Sequence, residues 1–192
     1  MDFWEVLSVR RSVRSYSRKT VPEDYICQIL EALNTAPSAG DLQAYDVVVV
    51  KDPEVRLKLA RASYGQMFIH EAPVSMVFLA NPLRSARRYG DRGRRLYSVQ
   101  DATIAATFAM LAATSLGLGT CWVGALDDER VAAAVGTNLD RHRPVAIITV
   151  GFPAETPRPT PRRSIEELVS LDSYGESYPY RQVRLNLKRP SW

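Results

Sequence analysis

A chain of 192 residues with 46% hydrophobic content can bury a sizeable core, which sets intrinsic disorder aside and makes one compact domain the default. The 25 Lys+Arg against 21 Asp+Glu give a formal charge of +4, an excess that suits an anionic ligand without demanding nucleic acid. Cys27 and Cys121 form no CxxC or Cys/His cluster, and His70 and His142 are not spaced as ligands. Zinc chemistry is therefore set aside, and both thiols are expected in the core of a protein kept in a reducing cytosol. Met1 leads straight into Asp2-Phe3-Trp4-Glu5 with no basic stretch and apolar run behind it, so no signal peptide is read and a cytoplasmic location is expected.

In chain order, Asp2 and Glu5 have the spacing of a capping box, and Phe3, Val6 and Leu7 recur as one helix face. Arg10-Arg11-Ser12-Val13-Arg14 follows. If this run is extended, Arg10, Ser12 and Arg14 share one side and Val13 turns toward packing. Two guanidinium forks and a hydroxyl on one face suit a phosphate monoester; the plainer reading is a solvated basic turn. Pro22, Ile26, Ile29, Leu30 and Leu33 predict an amphipathic helix ending near Asn34, with Cys27 in the core. A polar loop, Ala36-Pro37-Ser38-Ala39-Gly40-Asp41-Leu42-Gln43, separates it from Val47-Val48-Val49-Val50, read as a buried strand. Asp52-Pro53 starts a helix carrying Val55, Leu57, Leu59 and Ala60, and Val74 to Leu79 is a second strand.

Asn81 to Arg95 carries six arginines, with Gly90 and Gly93 as breakers, and reads as a loop or short helix. A long helix runs from about Tyr97 to Leu116, with Gly117 as its left-handed terminator. Its stretch from Ala102 to Leu118 is uncharged but rich in Ala and Thr, which fits a helix buried inside the protein or its dimer better than a membrane span. Thr120 to Ala125 and Pro144 to Phe152 are strands, with a helix between them capped by Asp127 or Asp128. Helix pairs mixed with isolated strands favour an α+β fold, a sheet covered by helices. Beyond Pro153 the chain turns proline-rich and then carries Tyr174, Tyr178, Tyr180 and Trp192 with little core pattern, so it is expected to dock on something, such as a partner subunit. Trp4, Trp122 and Phe68 are assigned to core packing before stacking on a ligand. Ser12 and Ser38 lack a GxSxG or a histidine partner, which disfavours serine hydrolysis.

The Arg10 to Arg14 run and the Pro37-Ser38 loop occur with Tyr89-Gly90-Asp91-Arg92-Gly93, Gln100-Asp101-Ala102, Gly117-Leu118-Gly119-Thr120-Cys121-Trp122-Val123-Gly124 and Arg162. In this order and spacing the chain resembles the nitroreductase family of flavoproteins over about residues 3 to 169. The resemblance implies an α+β fold with a central, mostly antiparallel sheet and a long buried helix at a dimer interface. It implies a homodimer with FMN at the subunit interfaces and NADH or NADPH as co-substrate. Residues 1–169 would be one FMN-binding domain, and 170–192 an extension docked on the partner.

Carried over by residue, Arg10, Ser12 and Arg14 match binders of phosphate and ribityl chain, and Arg11 contributes by its backbone or at the pyrimidine edge. Pro37, Ser38, Asp41 and Gln43 match the loop bordering the flavin, partly from the second subunit. Gln66 matches a side chain at the ring's polar edge. Val123 and Gly124 match a turn whose backbone approaches flavin N5, and Arg162, or Arg163 if the register slips, matches a late cation near the phosphate. No side chain is assigned as acid, base or metal ligand, because hydride transfer belongs to the cofactor. Asp41 departs from the Asn that the family commonly has there, and a carboxylate cannot donate the hydrogen bond an amide can.

The implied activity is hydride transfer from NAD(P)H through flavin to a nitroaromatic, quinone or enone by a ping-pong route. Two alternatives stay open: same-fold dehalogenase or flavin-fragmenting chemistry, and a non-catalytic anion or nucleic-acid binding module. For Arg84 to Arg95 a solvated, ion-paired loop is the plainest account, against gripping the NADPH 2′-phosphate, covering the flavin or binding nucleic acid.

Overall fold

The computed structural model describes residues 1–181 and Val183. Trp192, the last aromatic of the tail, lies outside the described residues. Among the described residues, eight α-helices and four strands follow in order: α1 (Phe3–Val9), α2 (Glu23–Asn34), β1 (Tyr45–Val50), α3 (Pro53–Ala62), α4 (Phe68–Glu71), β2 (Val74–Ala80), α5 (Pro82–Arg92), α6 (Ser98–Ser115), β3 (Gly119–Val123), α7 (Asp128–Ala134), β4 (Arg143–Gly151) and α8 (Ile165–Leu168). The sheet is wholly antiparallel, in the order β1-β2-β4-β3. This is the α+β architecture expected.

Alternation along β2 sorts its side chains onto two faces. Val74, Met76 and Phe78 join Ile148 and Val150 of β4 under α2 and α6, while Val77, Leu79 and Ile147 pack with Leu59, Ala60 and Val131 under α3 and α7. Every residue of β2 is buried, as a strand covered on both faces requires. The valine run does not reach that state: β1 is a sheet edge, Val47, Val48 and Val49 are half-buried, and only Val50 is buried.

Small residues let α6 sit deep. Ala102, Ala105, Ala106, Ala109 and Ala113 are buried, and α6 contacts all four strands as well as α2. Gly117 closes the helix at φ 78°, the left-handed conformation expected of it. No described helix is long and apolar enough to cross a membrane.

The Asn81 to Arg95 stretch, read as a loop or short helix, is helical: α5 is capped by the Asn81 side chain and passes through a π turn (Gly93–Tyr97) into α6. Other expectations are corrected. Gly90, at φ 55°, breaks the helix, whereas Gly93 continues it and is small because a Cβ there would lie 2.7 Å from the Ser85 carbonyl oxygen. Cys27 is exposed rather than packed in the core; Cys121 is buried. The Asp2–Glu5 capping box forms, but of the α1 face only Val6 is buried, leaving Phe3, Leu7 and also Trp4 exposed. Phe68 and Trp122 do pack against the core.

Candidate functional site

The chain after α1 is extended and is laid against β3. Ser12 bridges Thr120 in parallel, the Val13 N–H donates to the Thr120 carbonyl at 2.9 Å, and Tyr16 bridges Pro153 beyond β4. Val13 is buried, so the period of two turns Ser12 and Arg14 to the opposite side, as the sequence predicts. Two contacts that sequence reasoning did not assign hold this segment. The Tyr16 hydroxyl donates to the Val13 carbonyl at 2.7 Å and pairs with Thr149 Oγ1 at 2.6 Å, with its burial pushing the phenol well above its ordinary pKa. The Glu155 carboxylate accepts the backbone N–H of Arg14 at 2.5 Å and of Ser15 at 3.0 Å.

Around this strip the arginines crowd. Burial first, then the positive charges of Arg162 and Arg11, lower the Arg10 pKa from its ordinary value. Arg11 donates to the Arg10 carbonyl at 2.8 Å. The Arg14 guanidinium lies 5.9 Å from the centre of the Phe68 ring. Burial chiefly raises the Cys121 thiol, and Thr120 Oγ1, in the residue that bridges Ser12, is buried without a partner. Arg162 is held locally by Thr160 and Pro161, whereas Arg163 is tied to Glu167 of α8. Of the two, Arg162 is the one whose positive charge lowers the Arg10 pKa.

The strand that carries Thr120 and Cys121 runs on to Val123 and Gly124. Val123 points into the core, so its backbone is what it can offer a ligand, while Gly124 is exposed and a Cβ there would lie 3.1 Å from Trp122 Nε1. Gln66 stands beside this turn, its amide donating to the carbonyls of Ser63 at 3.0 Å and Ala125 at 3.3 Å. The first group of predicted residues therefore comprises Arg10, Arg11, Ser12, Arg14, Gln66, Val123, Gly124 and Arg162.

The second group is the loop after α2. Gly40 at φ 57°, Asp41 at φ 57° and Gln43 at φ 45° are all left-handed, a strained run for the two non-glycine residues. Asp101 organises it. This carboxylate, 1% exposed, sits in the first turn of α6 and accepts the N–H groups of Ala39 at 2.9 Å and Ala44 at 3.2 Å. Its signal in the sequence is a lone acid opening an otherwise uncharged helix. Ser38 Oγ accepts the Gln43 N–H at 2.9 Å, and the Gln43 side-chain nitrogen is engaged by Asn34. Pro37 and Asp41 are exposed. Arginines of α5 brace the outside: Arg84 Nε donates to the Leu42 carbonyl at 2.6 Å and Arg88 to the Gly40 carbonyl at 3.2 Å. Part of the arginine stretch is thus a scaffold for the loop. Among the described residues no hydrogen bond or ion pair joins the second group to the first, and no cluster of three or more His, Cys, Asp or Glu is placed to hold a metal.

The sequence was compared with known proteins. The model of the Nitroreductase family matches residues 7–80 and 64–152. A Thermus thermophilus protein named NADH dehydrogenase is 31% identical over 83% of this chain and 91% of its own length. A Bacillus subtilis FMN reductase [NAD(P)H] is 31% identical over 88% of this chain and 72% of its own. Among solved structures, the hypothetical oxidoreductase YcnD from Bacillus subtilis superposes with a TM-score of 0.81 at 29% identity, over 91% of this chain and 75% of the other. With the basic strip, the β3 turn and the arginine-braced loop all on one α+β frame, the chain belongs to the nitroreductase family.

Proposed function

We propose that the chain is an FMN-dependent oxidoreductase that takes hydride from NADH or NADPH and passes it to a second substrate such as a nitroaromatic, quinone or enone. The observation that carries this reading is the crowding of Arg10, Arg11 and Arg162 beside Ser12. Arg10 is half-buried and its pKa is lowered by burial and by the like charges of Arg162 and Arg11, a repulsion that a phosphate dianion relieves through charge-assisted bonds. The buried, unpartnered Thr120 hydroxyl beside Ser12 and the side-chain-free backbone at Gly124 also fit a large polar cofactor. The names of the relatives point to the same chemistry.

In this reading Arg10, Ser12, Arg14 and Arg162 hold the phosphate and ribityl chain. Arg11 and Gln66 serve the polar edge of the ring, and the backbone of Val123 and Gly124 borders N5. FMN, when bound, supplies the hydride chemistry. The chain binds, orients and shields; no side chain needs to move a proton.

Pro37, Ser38, Asp41 and Gln43 then act from a second subunit. A homodimer unites two groups that no hydrogen bond or ion pair joins among the described residues, and exposed apolar side chains on α1, α8 and the tail supply surface for it: Phe3, Trp4, Leu168, Leu171 and Tyr174. Residues 1–169 form the FMN-binding unit, the tail from residue 170 docks on the partner through its described part, its remainder to residue 192 lying outside the described residues, and the enzyme works in the cytoplasm. Titration of the flavin-free protein with FMN, followed by flavin fluorescence, tests the site. Saturation at one FMN per chain is expected. Failure to bind FMN contradicts the reading.

A further inference from the structure

A cavity of about 340 Å³ opens between α5 and the turn before β4, lined by Asn81, Leu83, Arg84, Arg87, Arg141 and His142. It shares no lining residue with the Arg10 group. Its size is that of a small-molecule site.

The cavity's charge is one-sided. Among the described residues the Arg87 and Arg141 side chains have no hydrogen bond or ion pair, and Arg84 uses only Nε, on the Leu42 carbonyl. Asp46 forms no ion pair with them and is not part of the cavity lining; its Oδ2 accepts from Asn81 Nδ2 at 2.9 Å and pairs with His142 Nε2 at 2.9 Å. These partners are themselves fixed: His142 Nδ1 pairs with Thr137 Oγ1 at 2.8 Å, and Asn81 Oδ1 caps α5 through the Arg84 N–H at 3.0 Å. The result is a braced polar wall with three guanidinium groups around an open space.

Guanidinium forks recognise phosphate oxygens in pairs, and three of them exceed what a carboxylate needs. We infer that this cavity is a second anion site, separate from the flavin clamp, that binds the phosphate monoester of a small molecule. Leu83, 45% exposed, supplies an apolar wall for the group that carries the phosphate. Arg84 belongs to both the cavity and the loop brace, so a ligand here touches the residue that fixes the Leu42 backbone.

Isothermal titration of the FMN-saturated protein with inorganic phosphate, adenosine 2′-monophosphate and adenosine 5′-monophosphate tests this, since FMN keeps the clamp filled. One site is expected. Its affinity should fall at least about tenfold in the double variant Arg87→Ala/Arg141→Ala and in the cavity-filling Leu83→Trp, with FMN binding unchanged. Equal binding of all three compounds assigns a free phosphate, and tighter binding of either nucleotide assigns a nucleotide phosphate. No binding of any of them, or the same affinity in both variants, overturns the proposal. The titration repeated on flavin-free Arg10→Ala protein keeps the result independent of the flavin reading.

Discussion

Val13 occupies the space that a side chain on Gly119 would need: a Cβ there would lie 2.8 Å from Val13 Cγ2. This contact seats the Arg10 to Arg14 strip on β3, because Val13 also donates its N–H to Thr120. Gly119→Ala therefore forces Val13 out and tilts the strip. Overpacking of this kind costs about 1–3 kcal/mol. The expected result is a lower denaturation midpoint together with weaker FMN binding; stability and affinity equal to the parent would show that the strip is seated some other way.

Asp101 holds the loop that carries Ser38 and Asp41. Removing its carboxylate in Asp101→Ala strands the Ala39 and Ala44 N–H groups, at about 1–3 kcal/mol for each donor left unsatisfied. Urea unfolding measures the loss. Asp101→Asn, which keeps an acceptor oxygen, should lose less, and equal losses in the two variants would mean that hydrogen bonding is not the role of Asp101.

The late cation can be tested by register. Arg10→Ala and Arg162→Ala should each weaken FMN binding by about 2 kcal/mol or more, the scale for one partner of a charge-assisted contact. Arg163→Ala should leave affinity in place, since Arg163 is tied to Glu167. The reverse order in a fluorescence titration would move the site one residue along the chain.

Asp41 is exposed and left-handed, a conformation that asparagine tolerates well. Asp41→Asn should therefore leave folding intact. If Asp41 borders the flavin, its negative charge disfavours the anionic reduced form, and neutralising it raises the reduction potential of the bound flavin. Potentiometric titration reads this directly, and an unchanged potential removes Asp41 from the ring.

The parts legible in the sequence were those governed by local periodicity. The α6 boundaries, the Gly117 terminator, the Asp2–Glu5 box and the alternation placing Val13 opposite Arg14 all depend on neighbours within a few residues. Long-range contacts were not legible. Val47 to Val50 reads as a core strand, and only the sheet order reveals it as an edge. Cys27 falls beside the buried stripe of α2 rather than on it. Tyr16, Glu155 and Asp101 reach partners far along the chain, as with Asp101 and Ala39, 62 positions apart. The arginine stretch looks like solvated loop because its carbonyl partners, at Gly40 and Leu42, lie on a different segment.

The most direct test of the proposed chemistry is the visible absorption spectrum of the FMN-loaded protein, recorded anaerobically before and after addition of NADH or NADPH in separate cuvettes. Flavin bands that bleach with at least one donor, and return on addition of a nitroaromatic or quinone, are the expected result. A protein that stays colourless after FMN is added, or whose flavin is reduced by neither nucleotide, would contradict the assignment.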